Sequence, residues 1–386
     1  MKIAYVTAFY YPTLGGVEQV VKELAERYVS QGHEVHVFTS DWDKNKRIKV
    51  REETINGVII HRHFHILKIA SFASIFPSLL WTLSRQKFDV IHTHVSGHAH
   101  TFFGSVIAKI KRTPLIHTTH CPWTEGFRSM AGRILVWLSY KTLNRLSFKL
   151  SDKIIAITPW EIPFIEKHGG RKEKIVVIPN GVDKIFFKKI KNNTFKKELS
   201  ISEPIVLFFG RLNPTKGPDK FVLAAKEILK ERKDIKFLMV GPDEGMLNQV
   251  QELSKDEKNI IILGPVREKS KIPEIYQSAD VYVMPSYREG LPLTLFEALA
   301  SGLPIVASPV NGIPYEMSDP ENGFFVKYGD IQGLKEKILL LLDNKKLAEK
   351  ISKNNIEKAR NYDWDLIAEK TMKLYQETTN KLKNPY

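Results

Sequence analysis

Two apolar rhythms alternate along the chain. Short apolar runs such as "KIAYVTAF" from Lys2 and "EVHVFTS" from Glu34 have the length and β-branched content of buried strands. Between them, Val17, Val20, Val21, Leu24 and Tyr28 recur with helical period, opened by Gly15-Gly16 and closed by Gly32. The same reading predicts strands at "GVIIHRH", "DVIHTH", "PLIHTT", "KIIAIT" and "KIVVIP", with helices over about 74–86, 98–111 and 130–150. A series of this kind forms a mostly parallel sheet covered by helices on both faces.

The rhythm lapses at "KIFFKKIKNNTFKKELSISE", Lys184–Glu203, which is lysine-rich and without clear period, and is expected to be a linker. A second series follows: "PIVLFFG", "IKFLMVG", "NIIILG", "ADVYVMPS" and "LPIVAS", each trailed by a helical pattern. The prediction is an α/β protein of two Rossmann-like domains facing each other across a cleft. Residues 1–186 and 200–363 form the domains, and a last helix, about 364–386, packs back on the first. The 386 residues agree, since single cores usually split beyond about 250–300. Ligands of such sheets sit beyond the carboxyl ends of the strands, so motifs placed just after strands carry most weight.

Composition narrows the setting. The single cysteine, Cys121, excludes an internal disulfide and fits a reducing cytosol. The N-terminus reads as a first strand rather than a signal peptide. The longest apolar run, about Ile69–Trp81, is broken by serines and Pro77 and falls short of the ~20 residues of a spanning helix. A cytoplasmic protein that does not cross a membrane is expected. The net charge of +15 predicts an acidic partner. It is unevenly spread: between Glu53 and Asp152 only Asp89 and Glu125 are acidic, against twelve lysines and arginines and nine of the 12 histidines. There "GFRSMAGRILVWLSYKTLNRLSFKL" and "HILKIASFASIFPSLLWTLSRQK" mix basic residues with aromatic and apolar ones. Basic helices with such faces suit an anionic membrane surface. The plainer alternative is core helices with solvated basic faces. Peripheral attachment to the inner face of the plasma membrane and a lipid-borne acceptor are therefore expected. No nucleic-acid recognition module is visible, and oligomeric state is not readable.

Two stretches concentrate chemistry. In "SYREGLPLTLFEALASG", a helix starting near Pro292 leaves Glu289 before its N-terminus and Glu297 about 7.5 Å into it, at ~1.5 Å per residue. Between the carboxylates lies a helix N-terminus, where free N–H groups and the positive dipole end attract anions. Carboxylate, anion site, carboxylate is an order that suits a diphosphate with a sugar on each side. A surface helix with solvated glutamates is disfavoured by the apolar neighbours of Glu297. In "FFGRLNPTKGPDKFVLAA", Gly210 and Arg211 follow a strand and Lys216-Gly217 precede a helix, as in a diphosphate clamp. This is not a Walker loop, because G-x-x-x-x-G-K-[ST] is absent.

With these residues in place, the chain resembles the retaining GT-B glycosyltransferases of group 1 with the E-x7-E motif, related to the phosphatidylinositol mannosyltransferases. "GRLNPTKG" and "PSYREGLPLTLFEALASGLPIVAS" carry the resemblance, with "GGVE" at Gly15–Glu18, "THC" at Thr119–Cys121, "IPNGVD" at Ile178–Asp183 and "GPV" at Gly264–Val266. It spans roughly residues 1 to 360. The resemblance implies that Arg211 and Lys216 bind the donor diphosphate, that Glu297 holds the ribose and that Glu289 holds a hydroxyl of the transferred sugar. Gly210, Gly290, Leu291, and the amides of Leu293 and Thr294 would line the phosphate site. Val266 would meet the base, Gly16 would admit the donor, and His120 would touch its sugar. Tyr11, Gly15, His98 and Arg128 would line the acceptor side. One departure is Pro292, where many relatives have glycine; it removes an amide donor.

The resemblance further implies retention by front-face attack, with no metal or other cofactor. No carboxylate pair of the glycosidase kind appears in the N-terminal half. Two readings of other classes stand beside it: a UDP-sugar 2-epimerase of the same fold, and a non-catalytic two-domain sugar-binding protein. A dehydrogenase is disfavoured because G-x-G-x-x-G does not follow the first strand. His61, His63 and His65, the group His92, His94, His98 and His100, and the pair Asp41 and Asp43 invite metal hypotheses. The histidine groups lack the interposed acid of a metal hydrolase, so no metal is expected. Cys121 reads as a packed thiol.

Overall fold

Ile3, Ala4, Tyr5 and Val6 have no exposed surface, as expected of a central strand in a sheet covered on both faces. In the computed structural model, which describes the chain except for residues 14, 44–45, 70–72, 122–129, 192 and 384–386, they form β1 (Lys2–Val6). The following strands are β2 (Glu34–Ser40), β3 (Glu52–Ile55), β4 (Val58–His63), β5 (Leu67–Ile69), β6 (Ala73–Ile75), β7 (Val90–His94), β8 (Leu115–Thr118), β9 (Lys153–Ala156) and β10 (Ile175–Val177). Eight of them make one sheet in the order β10-β9-β8-β7-β1-β2-β4-β3, parallel except where β3 pairs β4; β5 and β6 form a separate hairpin. The order turns back at β1, which lies between β2 and β7. The loops after β1 and β7 therefore open at a switch point.

Two compact units divide the chain: Met1–Asn180 with Trp364–Tyr386, and Gly181–Asp363. In the first, the helix Trp364–Lys383 packs on the sheet through Tyr375, whose hydroxyl lies 3.0 Å from the Tyr5 hydroxyl and 2.6 Å from His92 Nδ1. Tyr28 of the helix Gly16–Ser30 donates to the Ala368 carbonyl at 2.8 Å, and Arg27 donates to Asp365 at 2.8 Å.

The second unit has β11 (Ile205–Phe209), β12 (Lys236–Val240), β13 (Ile260–Leu263), β14 (Val281–Met284), β15 (Ile305–Ala307) and β16 (Gly323–Phe325). They form one parallel sheet in the order β13-β12-β11-β14-β15-β16, the doubly wound nucleotide-binding order. Its core joins Phe208, Phe221, Phe237, Met239 and Val283 across the sheet and its helices. The direction of winding reverses between β11 and β14. The two loops bearing the charged motifs follow these two strands.

The segment 184–203 belongs to this second unit rather than standing as a linker. It contains a 3-10 turn, Lys184–Phe187, and a short helix, Phe195–Glu198. Phe186, Phe195 and Ile201 are buried, while the Ile190 N–H reaches Gln277 at 3.0 Å and the Asn193 amide donates to the Glu274 carbonyl at 2.8 Å. Its lysines face outward and mask these apolar anchors in the sequence. Among the described residues no helix is long and apolar enough to cross a membrane.

Candidate active site

Gly217 lets the two charged loops of the second unit meet. Its φ is +65°, and any Cβ there would run into the Pro285 carbonyl oxygen. The loops are also tied by backbone bonds from the Tyr287 and Arg288 N–H groups to the Thr215 carbonyl, at 2.9 and 3.2 Å. Residues far apart in sequence thereby become neighbours. Lys216 donates to Oε2 of Glu289, which is 3% exposed, and Ser286 donates to Oε1 at 2.7 Å. A carboxylate this deeply placed needs both partners. Asn311 donates to the Glu289 carbonyl and fixes the backbone beside it.

Pro292 is the N-cap of the helix Leu293–Ala300, extended at φ −72° and ψ 133°, and no side chain caps the end. The amides of Leu293 and Thr294 open the first turn, where no intrahelical acceptor exists. Gly290 and Leu291 lead into it, Leu291 buried. Proline thus costs no helical bond at this position, but it offers no N–H of its own. Glu297 lies one turn on, half-buried, with Oε2 accepting from the Tyr276 hydroxyl at 2.8 Å. Burial and the Glu297 charge push the Tyr276 phenol well above its usual range, so it stays a donor.

Arg211 follows Gly210 at the end of β11 and binds both oxygens of Glu244 through one terminal nitrogen, at 2.8 and 3.1 Å. Asn213 donates to the same carboxylate at 3.0 Å. Val266 sits in the loop after β13, partly exposed. Arg211, Lys216, Glu289, the amides of 293 and 294, and Glu297 thus lie around the switch point of one unit. They combine cations and open N–H groups for an anion with carboxylates for hydroxyls.

The remaining predicted residues are in the first unit. Gly15 is the N-cap of the helix Gly16–Ser30, and a side chain there would strike the Glu18 carboxylate; a Cβ at Gly16 would meet open space. Tyr11 is exposed and its carbonyl accepts from Arg62 at 2.8 Å. His98 is the N-cap of the helix Ala99–Lys111. His120 follows β8, partly exposed, with Nε2 2.9 Å from His94 Nδ1. Surrounding packing pushes its pKa down to about 3 and keeps it neutral. Arg128 lies outside the described residues.

The residues behind the metal hypotheses have separate occupations. His61 pairs with His36 at 2.8 Å, His63 with Ser78 at 3.0 Å, and His65 with Asp41 at 3.0 Å. Asp43 accepts from the Lys46 N–H at 2.8 Å. His92 and His94 are fully buried, and burial lowers both well below the usual range. Among the described residues no group of three His, Cys, Asp or Glu side chains is placed to hold a metal ion. Cys121 is a buried thiol. Ser286, Tyr276, Asn311, Glu244 and Glu161 join the site through contacts that the sequence does not single out. Only Ser286 carried a signal, its closeness in sequence to Glu289.

The second unit matches the family described as glycosyl transferases group 1 over residues 189–358, and the first matches glycosyltransferase family 4 over residues 14–184. An uncharacterized glycosyltransferase of Methanocaldococcus jannaschii is 30% identical over 404 residues, covering 97% of this chain and 98% of that protein. The Escherichia coli UDP-Gal:alpha-D-GlcNAc-diphosphoundecaprenol alpha-1,3-galactosyltransferase is 28% identical over 360 residues, covering 90% and 89%. Among solved structures, Anabaena HepE in complex with UDP and glucose superposes with a TM-score of 0.79 at 19% identity, over 98% of this chain and 100% of that one.

Proposed function

Because the chain belongs to the group 1 glycosyltransferase family and has its GT-B fold, we propose that it is a retaining, metal-independent hexosyltransferase acting on a lipid-linked acceptor. The observation that carries this reading is the arrangement around the second unit's switch point. Lys216 and a helix N-terminus stand with two carboxylates, each held by a neighbouring hydroxyl, and Arg211 ends the strand beside them.

In the proposed reaction the anomeric carbon–oxygen bond to the donor diphosphate breaks, and negative charge builds on the distal phosphate. Arg211, Lys216 and the amides of Leu293 and Thr294 stabilise that charge more strongly than they do the bound ground state. The leaving phosphate oxygen takes the acceptor hydroxyl proton as the new glycosidic bond forms on the same face. Glu297, fixed by Tyr276, holds the ribose, and the loop at Val266 meets the base. Glu289 holds a hydroxyl of the transferred sugar, and His120 is a further contact for that sugar. Gly16 leaves room at the first helix N-terminus.

The donor is UDP- or GDP-linked. The donor in the Escherichia coli relative's name and the UDP held by HepE favour uridine. That relative's diphosphoundecaprenol acceptor favours a polyprenyl diphosphate sugar. The first unit supplies a surface for such a lipid: Ile134, Trp137 and Leu138 are exposed, with Lys141 5.2 Å from the Trp137 ring. Arg85 stacks 3.4 Å over the exposed Trp81. Peripheral attachment to the inner face of the plasma membrane follows from this reading.

The test is transfer from UDP- and GDP-sugars to undecaprenyl-diphosphate N-acetylglucosamine in anionic vesicles, in EDTA, with the product's anomeric configuration read by NMR. Product of retained configuration is expected. An inverted product, or activity abolished by chelation and restored by a divalent ion, would overturn the mechanism. Free 2-epimerised sugar without transfer would overturn the activity.

A further inference from the structure

The backbone that carries His120 is strained and is held by a side chain outside the family motifs. His120 and Cys121 have φ of +60° and +52°, consecutive L-residues in the left-handed region. The fully buried carboxylate of Glu161 spans them. Its Oε1 accepts from the Thr119 hydroxyl at 2.6 Å and from the Cys121 N–H at 2.7 Å, one on either side of His120. Its Oε2 accepts from the Ile157 N–H at 2.7 Å, fastening the loop to the end of β9. The imidazole has a second anchor in His94 Nδ1, 2.9 Å from His120 Nε2.

That contact also fixes where the protons sit. The other nitrogen of His94, Nε2, is buried with no partner among the described residues. A proton on it would be an orphaned buried donor, which native structures rarely contain, whereas a bare lone pair is better tolerated. The His94 proton therefore belongs on Nδ1, donated to His120 Nε2. A neutral His120 then carries its own proton on Nδ1.

We propose that Glu161 and His94 are positioning residues that fix His120 in one place and one tautomer, so that it presents Nδ1–H to the donor sugar as a hydrogen-bond donor. The inference rests on reading His120 as a sugar contact, and the experiment separates the two. His120→Ala tests that reading. Unchanged kcat in that variant would remove it and this inference with it.

Glu161→Gln puts an amide N–H against one of three donors, and His94→Leu removes the second anchor. Each is expected to lower kcat roughly 10- to 100-fold, as sub-ångström misplacement does, with nucleotide Kd within about twofold of the parent. His94→Asn, whose amide nitrogen occupies the place of Nδ1, is expected to recover most of the loss. Nitrogen-15 spectra should show His120 protonated on Nδ1 in the parent and in His94→Asn, and mixed or Nε2-protonated in His94→Leu. If Glu161→Gln does not fold, the His94 pair and the parent spectrum decide. Parent His120 protonated on Nε2, or full kcat in His94→Leu while His120→Ala is impaired, would overturn the inference.

Discussion

Lys216 donates to one oxygen of the Glu289 carboxylate while Ser286 donates to the other, so the cation proposed for phosphate and the anion proposed for sugar are direct partners. The pair is 73 residues apart in sequence and nearly inaccessible on the carboxylate side. A bound diphosphate would share an ammonium whose place Glu289 has set. On the proposed roles, one ammonium would thereby serve both halves of the donor.

The two glutamates should therefore fail differently. Glu289→Gln keeps the Ser286 contact but loses the charge beside Lys216, and is expected to lower kcat by about 100-fold with a small change in nucleotide Kd. Glu297→Gln keeps an acceptor for Tyr276 and is expected to weaken nucleotide binding about tenfold, close to one charge-assisted hydrogen bond. Steady-state kinetics with calorimetric titration of UDP and GDP reads both. Equal, negligible effects would remove the assignment.

Arg211 binds Glu244 through one terminal nitrogen, leaving the rest of its planar fork for phosphate oxygens. Arg211→Lys retains the charge but not the fork, so nucleoside diphosphate affinity should fall by about tenfold. Nucleoside affinity should stay level, as a paired titration of UDP against uridine would show.

Gly217→Ala asks a residue with a Cβ to adopt a left-handed conformation and to occupy the space of the Pro285 carbonyl. A loss of about 1–3 kcal/mol is expected from the strain, with further loss from parting the loops. Denaturant unfolding measures the first and nucleotide titration the second; a neutral result in both would show that the loops do not depend on this contact.

All 12 histidines lie before Asn180, so mild acid, above the range in which carboxylates titrate, should act mainly on one unit. Burial lowers His92 and His94 well below the usual range, His117 and His120 to about 3, and His100 to about 4. Folded pKa values are depressed, so as pH falls below about 6.5 the unfolded chain takes up protons that the folded one refuses. Stability is full above that pH and declines from there toward about 3–4, by up to about 1.4 kcal/mol per pH unit for each such histidine. Melting curves should show the first unit losing Tm on acidification while nucleotide binding by the second persists. Parallel loss in both units would count against it.

The strands were legible because buried parallel strands are short apolar runs, and the charged loops were legible because they follow such runs. The segment at Phe186 and Phe195 was not. Two aromatic anchors among many lysines give no period, and burial against Gln277 and Glu274 is a tertiary fact. The partners of the key carboxylates were hidden for the same reason. Tyr276 reaches Glu297 and Glu161 reaches the His120 loop only after the strands order themselves side by side. The histidines of β7 read as a possible ligand set because sequence spacing says nothing of Tyr375 and Thr118, which occupy His92 from far along the chain.

The reversal of winding between β11 and β14 has a thermodynamic corollary. If the two charged loops bind the nucleotide together, as proposed, only the completed second unit can be seen by the ligand. Nucleotide at 100 times its Kd would then add about 2.7 kcal/mol to that unit, with no direct claim on the sheet that holds the histidines. A cell rich in the donor would thus hold that half of the enzyme in its finished state, and a starved one would leave it more open to proteolysis.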